Sequence, residues 1–225
     1  NYFGIPGQIG GLIGSNGVTI NAQSINNTHS RIIAEHGPLN LNVAETIDNY
    51  RALIASGGDA KINAKRLINN YATLHSAGDL SIDVDSLSNY SSGTIENNDA
   101  TGIISSDRYL SLIVGSSFNN YGWISSKQNA LVRVAGALHN YNTISSDNTL
   151  EVDTSGTLTN EKNIAAGTVL YVESDGSVVN SSKGNMVGSS AFIKAAVDLT
   201  NYGNVVAWDY LDVNAARTIY NYKNI

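Results

Sequence analysis

Carboxylates and histidines are the side chains of this chain that could carry out catalysis or bind a metal ion. Enzymes that cleave polysaccharides need convergent carboxylates, and the nearest grouping here is Asp83 and Asp85, with Asp153 further along. These carboxylates alternate with apolar residues, which is the pattern of solvated positions on a strand. The histidines fall at unrelated positions of the repeat described below, so we predict no shared site for His29, His36, His75 and His139.

Composition narrows the classes of partner. The 225 residues carry a formal net charge of -6 with scattered lysines and arginines, and a nucleic-acid partner requires a basic surface. The chain has no cysteine, and therefore no disulfide or thiol chemistry. It contains no membrane-spanning apolar run and no glycine-rich calcium-binding repeat. We predict no nucleic-acid partner, no membrane span, no enzymatic activity, no catalytic or metal-binding residue and no cofactor.

An asparagine that is usually followed by tyrosine recurs about every 20 residues along the chain. Periods this short are typical of solenoids, in which each unit buries its apolar side only against its neighbours. The residue two before the asparagine is apolar, as Ile68 is before Asn70, and the residue four after it is usually apolar, as Leu53 is after Asn49. The repeated asparagines are Asn1, Asn27, Asn49, Asn70, Asn89, Asn120, Asn140, Asn160, Asn180, Asn201 and Asn221.

The residues between successive asparagines alternate between apolar and polar, as in Leu39 to Val43. This period of two indicates strands, and no stretch matches the helical period. Serine pairs and glycines mark corners, which divide each unit into three short strands. Because equivalent strands of stacked units pair in parallel, the sequence predicts an all-β fold: a right-handed parallel β-helix of about eleven coils. Residues 1–225 are expected to form a single helical segment of a longer array.

The asparagines from Asn27 to Asn221 are expected to stack at one corner as a structural ladder. Asparagine tolerates the left-handed or bridge conformation that such a corner often needs, and its amide can hydrogen-bond from coil to coil. The following tyrosines would then form a stripe along one edge, either to bind a partner or simply to stabilise the rod by ring stacking. The candidate binding residues of this stripe are Tyr50, Tyr71, Tyr90, Tyr121 and Tyr141.

The unit after Asn89 carries extra residues, 91–101, which a solenoid must extrude as a loop. Such loops are often binding surfaces, although a neutral polar excursion fits the same sequence. Trp123 and Trp208 lie at outward or corner positions, where each would mark a contact or packing under a loop. The candidate partner-binding residues of the loop are Ser91, Ser92, Glu96, Asn97, Asn98 and Asp99.

Read as L-x-N-Y-x-x-I-x-S, the units resemble the repeats of filamentous haemagglutinin-type exoproteins. The best matches are FNNYGWISS at 118–126, LHNYNTISS at 138–146 and LTNYGNVVA at 199–207. These exoproteins are the passengers of bacterial two-partner secretion and include adhesins and contact-dependent inhibition toxins. The resemblance implies a right-handed β-helical shaft, an outer-membrane secretion barrel as export partner, and a secreted or cell-surface location.

Three functions fit this sequence, in descending order. The first is a rigid shaft of a secreted bacterial surface exoprotein, which supports adhesion or carries a distal module to another cell. The second is a module that binds a cell-surface receptor or glycan through the 91–101 loop or the tyrosine stripe. The third and least favoured is an enzyme that acts on polysaccharide in a groove of the helix. A cell- or glycan-binding assay separates the first two, and trial digestion of acidic polysaccharides tests the third.

Overall fold

The computed structural model describes residues 10–90 and 102–223, and within them every regular element is a β-strand. The strands wind into about 10 turns of a parallel solenoid. Each turn contributes one strand, or one part of a longer strand, to each of three rows of paired strands. We call them row 1, row 2 and row 3 in the order in which the chain passes through them. The all-β parallel helix with three strands per coil is therefore confirmed, whereas its right-handed winding stays a prediction.

The strands are numbered in chain order. Row 1 contains β1 (Leu12–Gly14), β4 (Arg31–Ala34), β7 (Leu53–Ser56), β9 (Thr73–Ser76), β11 (Ile103–Ser106), β14 (Trp123–Ser126), β17 (Thr143–Ser146), β20 (Asn163–Ala166) and the first parts of β23 (Asn185–Ala195) and β25 (Asn204–Ala215). Row 2 contains β2 (Val18–Ala22), β5 (Leu39–Val43), the first parts of β8 (Ala60–Ile68) and β10 (Leu80–Ser88), β12 (Leu110–Val114), β15 (Ala130–Val134), β18 (Thr149–Thr154), β21 (Val169–Ser174) and the last parts of β23 and β25. Row 3 contains β3 (Ile25–Asn26), β6 (Thr46–Asp48), the last parts of β8 and β10, β13 (Phe118–Asn120), β16 (Leu138–Asn140), β19 (Leu158–Asn160), β22 (Val178–Asn180), β24 (Leu199–Asn201) and β26 (Ile219–Asn221).

The apolar core is a column inside the three rows. In row 1, Ile104 is in register with Ile124, which is in register with Ile144, and all three are fully buried. In row 3, Phe118, Leu138 and Leu158 stack in the same way. Burying one such side chain contributes about 1.5–3 kcal/mol. Stacking identical units therefore supplies the stability that a single coil lacks.

The corner between rows 1 and 2 contains a column of buried serines. The hydroxyl of Ser106 lies 2.8 Å from the carbonyl oxygen of Gly78, in the preceding coil, and 3.0 Å from that of Tyr109. It also accepts a hydrogen bond from the backbone N–H of Arg108. These contacts satisfy turn groups that the corner would otherwise bury without partners. The same arrangement recurs at Ser56, Ser126 and Ser146, and Ser76 repeats its two carbonyl contacts.

The early coils differ from the predicted alignment by one residue. Leu67, not Ile68, is the fully buried row 3 residue of its coil, and Ile54, not Leu53, belongs to the row 1 core column. Leu53 packs instead in a separate cluster with Ile33 and Ala55. The pattern misplaced these residues because two apolar residues stand side by side at each position, and only register decides which one points inward.

The corner conformation also differs from the expectation for asparagine. Within the described residues, the non-glycine residues with positive φ are His29, Arg51 and Tyr71. Each of them stands two residues after the buried asparagine of its coil, which is Asn27, Asn49 or Asn69, in the early coils that have a longer corner. The repeated asparagine is therefore not selected for a left-handed backbone, and its side chain must be the reason for its presence.

The row pairings continue on both sides of residues 91–101. Ile103 is in register with Thr73, Leu110 is in register with Leu80, and Asn89 bridges to Asn120. The predicted loop and its six candidate binding residues lie outside the described residues, as does the unit around Asn1. The coils before and after these residues therefore pair with each other in the regular register.

Candidate functional surfaces

One asparagine from each coil joins a column at the corner after row 3, which is buried from Asn27 to Asn201 and exposed at Asn221, in the last described coil. Each side-chain amide donates a hydrogen bond to the amide oxygen of the asparagine in the next coil, at distances such as 2.9 Å from Asn140 to Asn160. The same Nδ2 of Asn140 also lies 2.9 Å from the carbonyl oxygens of Asn142 and Asn163. The asparagine ladder is Asn27, Asn49, Asn69, Asn89, Asn120, Asn140, Asn160, Asn180, Asn201 and Asn221.

The prediction that Asn70 belongs to this column is wrong, because its place is taken by Asn69. Asn69 donates to Asn89 at 3.0 Å and accepts from Asn49 at 2.8 Å. The Asn70 side chain lies one position further on and accepts hydrogen bonds from the Ser88 hydroxyl and the Tyr90 N–H. Pairing asparagine with tyrosine selected Asn70, whereas distance from the buried Leu67 selects Asn69.

The tyrosines next to the ladder point outward and contact one another along the edge of the rod. Ring centroids are 5.9 Å apart for Tyr50 and Tyr71, 5.5 Å for Tyr71 and Tyr90 and 5.4 Å for Tyr90 and Tyr121, all edge to face. Tyr121 and Tyr141 stack in parallel at 4.3 Å. These rings, with His29 in contact with Tyr50 at one end, make up the tyrosine column.

The tyrosine column stops where other residues take the tyrosine position. The backbone N–H of Tyr141 donates to the carbonyl oxygen of the ladder asparagine one coil earlier. The N–H groups of Glu161 and Ser181 make the same hydrogen bond in their coils. The stacking resumes beyond this gap with Tyr202 and Tyr222, at 4.9 Å. The column therefore divides into a long aromatic edge and a short one.

The two tryptophans lie on the outside of the rod. Trp123 is 44% exposed on the outer side of row 1, between Ile103 and Thr143. Trp208 is 68% exposed within β25. Trp123 therefore lies on the outer face of row 1 and is not part of the tyrosine column.

One histidine lies beside a serine and a carboxylate on the outer face of row 1. His75 Nδ1 is 3.0 Å from Ser105 Oγ, and His75 Nε2 is 3.9 Å from Asp107 Oδ2. Hydrolases use these residue types, but they also need N–H groups aimed at the developing oxyanion. The backbone of β11 is paired with β9 and β14 on both sides, and Asp107 also binds Lys127 at 2.9 Å. The arrangement is a hydrogen-bonded surface cluster.

The outer face of row 2 contains a group of residues that the repeat pattern did not single out. Tyr171 and Phe192 stack with ring centroids 5.0 Å apart, beside Glu151, Glu173 and Lys194. These aromatic residues occupy positions that are polar in other coils, such as Ser81 and Ser111. The available signal was an aromatic residue at an outward position of a strand, and it lies outside the repeated asparagine and tyrosine pairs.

The described part of the chain holds neither a group of three or more acidic or histidine side chains suited to one metal ion nor a helix long and apolar enough to cross a membrane.

No curated protein and no solved structure matches the chain. The family model for the haemagglutinin repeat matches it five times, at residues 4–49, 34–99, 91–140, 142–190 and 188–225. These matches cover nearly all of the sequence, and the resemblance carried by the asparagine repeats is thereby confirmed. The chain belongs to the haemagglutinin-repeat family.

Proposed function

We propose that this chain is a rigid shaft of a secreted bacterial surface exoprotein, which supports adhesion or carries a distal module to another cell. The observation that carries the proposal is the asparagine ladder, which passes from Asn27 to Asn221 without a break. A structure whose polar and apolar columns are both continuous cannot bend at one coil without breaking buried hydrogen bonds. About 10 coils at a spacing of about 4.8 Å make a rod roughly 45 Å long.

The family supports a location outside the cell. Haemagglutinin repeats are typical of secreted surface proteins of an adhesin type, and their usual context is two-partner secretion through an outer-membrane barrel. A chain that crosses a membrane unfolded is not blocked by premature disulfide bonds if it lacks cysteine, and this chain has none. Adhesin and toxin shafts share this architecture, and both roles place mechanical rather than catalytic demands on it.

An in-register deletion tests the shaft. Removing residues 121–180, which are three complete 20-residue units, joins Asn120 to Ser181 and keeps every column aligned. We expect a folded rod shorter by about 14 Å, measured by small-angle X-ray scattering, with a cooperative thermal transition. A deletion of 121–170 removes two and a half units and serves as the out-of-register control, which is expected to unfold. A failure of the in-register deletion to fold would contradict a shaft of interchangeable units.

A second function is favoured by the partly exposed tyrosine column, which presents a continuous aromatic edge from Tyr50 to Tyr141. A receptor or glycan could bind this edge or the 91–101 insertion, in which case the segment would itself bind cells. The test is binding of the purified segment to host cells before and after Tyr121→Ala and Tyr141→Ala, and after deletion of 91–101. Binding that neither change weakens would count against this second function, and an absence of binding by the unmodified segment would leave the shaft as the function.

A further inference from the structure

The outer face of row 2 carries an axial trough over its last four described strands. Glu151, Tyr171, Phe192 and Asp212 are in register along one side, and Asp153, Glu173, Lys194 and Asn214 are in register along the other. Together with Val172 and Ile193 these residues line a groove of about 400 Å³. The groove lies on the face of row 2 and is separate from the tyrosine column, which lies at the corner after row 3. We call it the row 2 trough.

One wall of the row 2 trough is aromatic. Tyr171 and Phe192 are stacked with their planes 16° apart, and Phe192 contacts Tyr210 at 5.5 Å. Tyr171 is 43% exposed in the middle of a strand face, where other coils place serine, leucine or glutamate. Phe192 lies between two rings, so the middle of the wall offers apolar area and a ring edge rather than a free ring face.

The surroundings of the trough are net negative. Five carboxylates, those of Glu151, Asp153, Glu173, Asp175 and Asp212, line the trough and the groove next to it, and the cationic side chains there are Arg133 and Lys194. Arg133 lies 2.9 Å from Asp153 and 3.9 Å from Glu151, and Lys194 lies 2.6 Å from Glu173. Burial, followed by the charge of Asp153, raises the pKa of Glu151 above its ordinary value. A cation added from outside would therefore meet carboxylates that the protein's own cations neutralise only in part.

We propose that the row 2 trough binds an extended peptide segment, rich in lysine or arginine, of a partner protein. The aliphatic stem of a lysine or arginine packs along the aromatic wall while its charged head reaches the carboxylates. Four strands at about 4.8 Å spacing give a length of roughly 14 Å, which matches about four residues of extended chain. A saccharide is the weaker fit because it needs a free ring face, and the faces of Phe192 are covered by Tyr171 and Tyr210.

The test is fluorescence anisotropy with a labelled octapeptide that alternates lysine and threonine, added to the full chain. Peptides with glutamine or glutamate in place of lysine are the matched probes. We expect the lysine peptide to bind at least tenfold more tightly than the glutamine peptide, with an affinity that falls as salt is raised. The glutamate peptide is expected not to bind.

Variants locate the site. The double variant Glu151→Gln with Asp212→Asn is expected to weaken binding of the lysine peptide about tenfold, and Tyr171→Ser about fivefold. Asp83→Asn with Asp85→Asn makes the same change of charge away from the aromatic wall, at the outer face of row 2 and at the bend that follows it, and is expected to leave the affinity unchanged. Thermal unfolding of each variant checks that the rod is intact.

Three results would overturn the proposal. Equal affinity for the lysine and glutamine peptides would remove the role of charge. An equal loss of affinity in the Asp83 and Asp85 control would show attraction to the net charge of the rod rather than to the trough. Binding of a neutral hexasaccharide that Tyr171→Ser abolishes, without binding of the lysine peptide, would assign the trough to a glycan.

Discussion

The asparagine ladder and the tyrosine column are formed by neighbouring residues of the same corner, but they differ in how continuous they are along the rod. Asn140 is fully buried, and its column continues through Asn160 and Asn180. Tyr141, the next residue, is exposed, and its column is interrupted at Glu161 and Ser181. Every described coil has asparagine in the first column, whereas two successive coils have a non-aromatic residue in the second.

The difference follows from what replaces each side chain when it is lost. A buried amide is both donor and acceptor. Its removal takes one hydrogen-bond partner from the amide above and one from the amide below, and water cannot reach the corner to replace them. An exposed ring contributes about 0.5–1.5 kcal/mol of stacking, and a polar residue in its place is solvated at no cost. Burial, more than position in the repeat, decides which residue must be kept.

The largest effect is expected from placing a charge in the buried column. Asn120→Asp puts a carboxylate against the amide oxygen of Asn140 and the carbonyl of Thr143, and should cost on the order of 4 kcal/mol at neutral pH. Burial raises the pKa of the new carboxyl in the folded state above its unfolded value. The deficit relative to the unmodified chain is therefore greatest above that raised pKa and shrinks as the pH falls below it, because the protonated acid can donate.

Urea denaturation between pH 4 and 8 measures this deficit. Asn119→Asp is the matched control, since Asn119 precedes Asn120 on β13 and points outward. A deficit that does not change with pH, or one that is equal for the two variants, would mean that the ladder does not exclude water.

The next effect distinguishes the two adjacent asparagines of the early coil. Asn69→Ala should lower the free energy of unfolding by about 3 kcal/mol, because it breaks hydrogen bonds to Asn49 and Asn89 inside the rod. Asn70→Ala removes only an acceptor for Ser88 and Tyr90 at the half-buried edge, and should cost about 1 kcal/mol or less. Chemical denaturation of both variants makes the comparison, and the reverse order would restore Asn70 to the ladder.

A smaller, favourable effect is expected from repairing the tyrosine column. Ser181→Tyr places a ring at the position next to Tyr202 and removes a hydroxyl that is buried without a hydrogen-bond partner. We expect a gain of about 1 kcal/mol. Ser181→Ala is the control, because it removes the hydroxyl without adding a ring. A double-mutant cycle with Tyr202→Ala measures the coupling between the rings, and a coupling near zero would mean that the column is not held together by stacking.

The smallest effect is the response of the unmodified rod to pH. The buried polar residues of the described coils are asparagine, serine and threonine, which do not titrate. A fall in pH therefore changes stability only through side chains that are at least partly exposed. Burial is the main cause that lowers the pKa of His75 below its ordinary value, against the opposing charge of Asp107. The unfolded chain then binds a proton more readily than the folded one, and stability falls slightly as the pH drops through about 6.5. Thermal melts at pH 7.5 and 5.5 check this, with His75→Gln expected to show a smaller drop.

Much of the fold was readable from the repeat. The alternation in segments such as Leu39 to Val43 predicted strands, and a period near 20 left too little chain for any fold but a stacked one. The alignment failed where two similar residues stand together, at Leu67 and Ile68, at Leu53 and Ile54, and at Asn69 and Asn70. In each pair a shift of one residue satisfies the local pattern equally well, and only hydrogen bonding to the coils above and below chooses between them.

The sequence by itself determined the solenoid, its three strands per coil and the buried column of asparagines, because each of these follows from a pattern that every unit repeats. The tertiary structure decided what unlike units form together. Glu151, Tyr171 and Phe192 lie in three different coils and become neighbours only because the coils stack in register. His75 and Ser105 meet across the 91–101 insertion in the same way. Residues about 20 positions apart lie about 4.8 Å apart once the rod has formed, and the surfaces available for binding are products of that stacking.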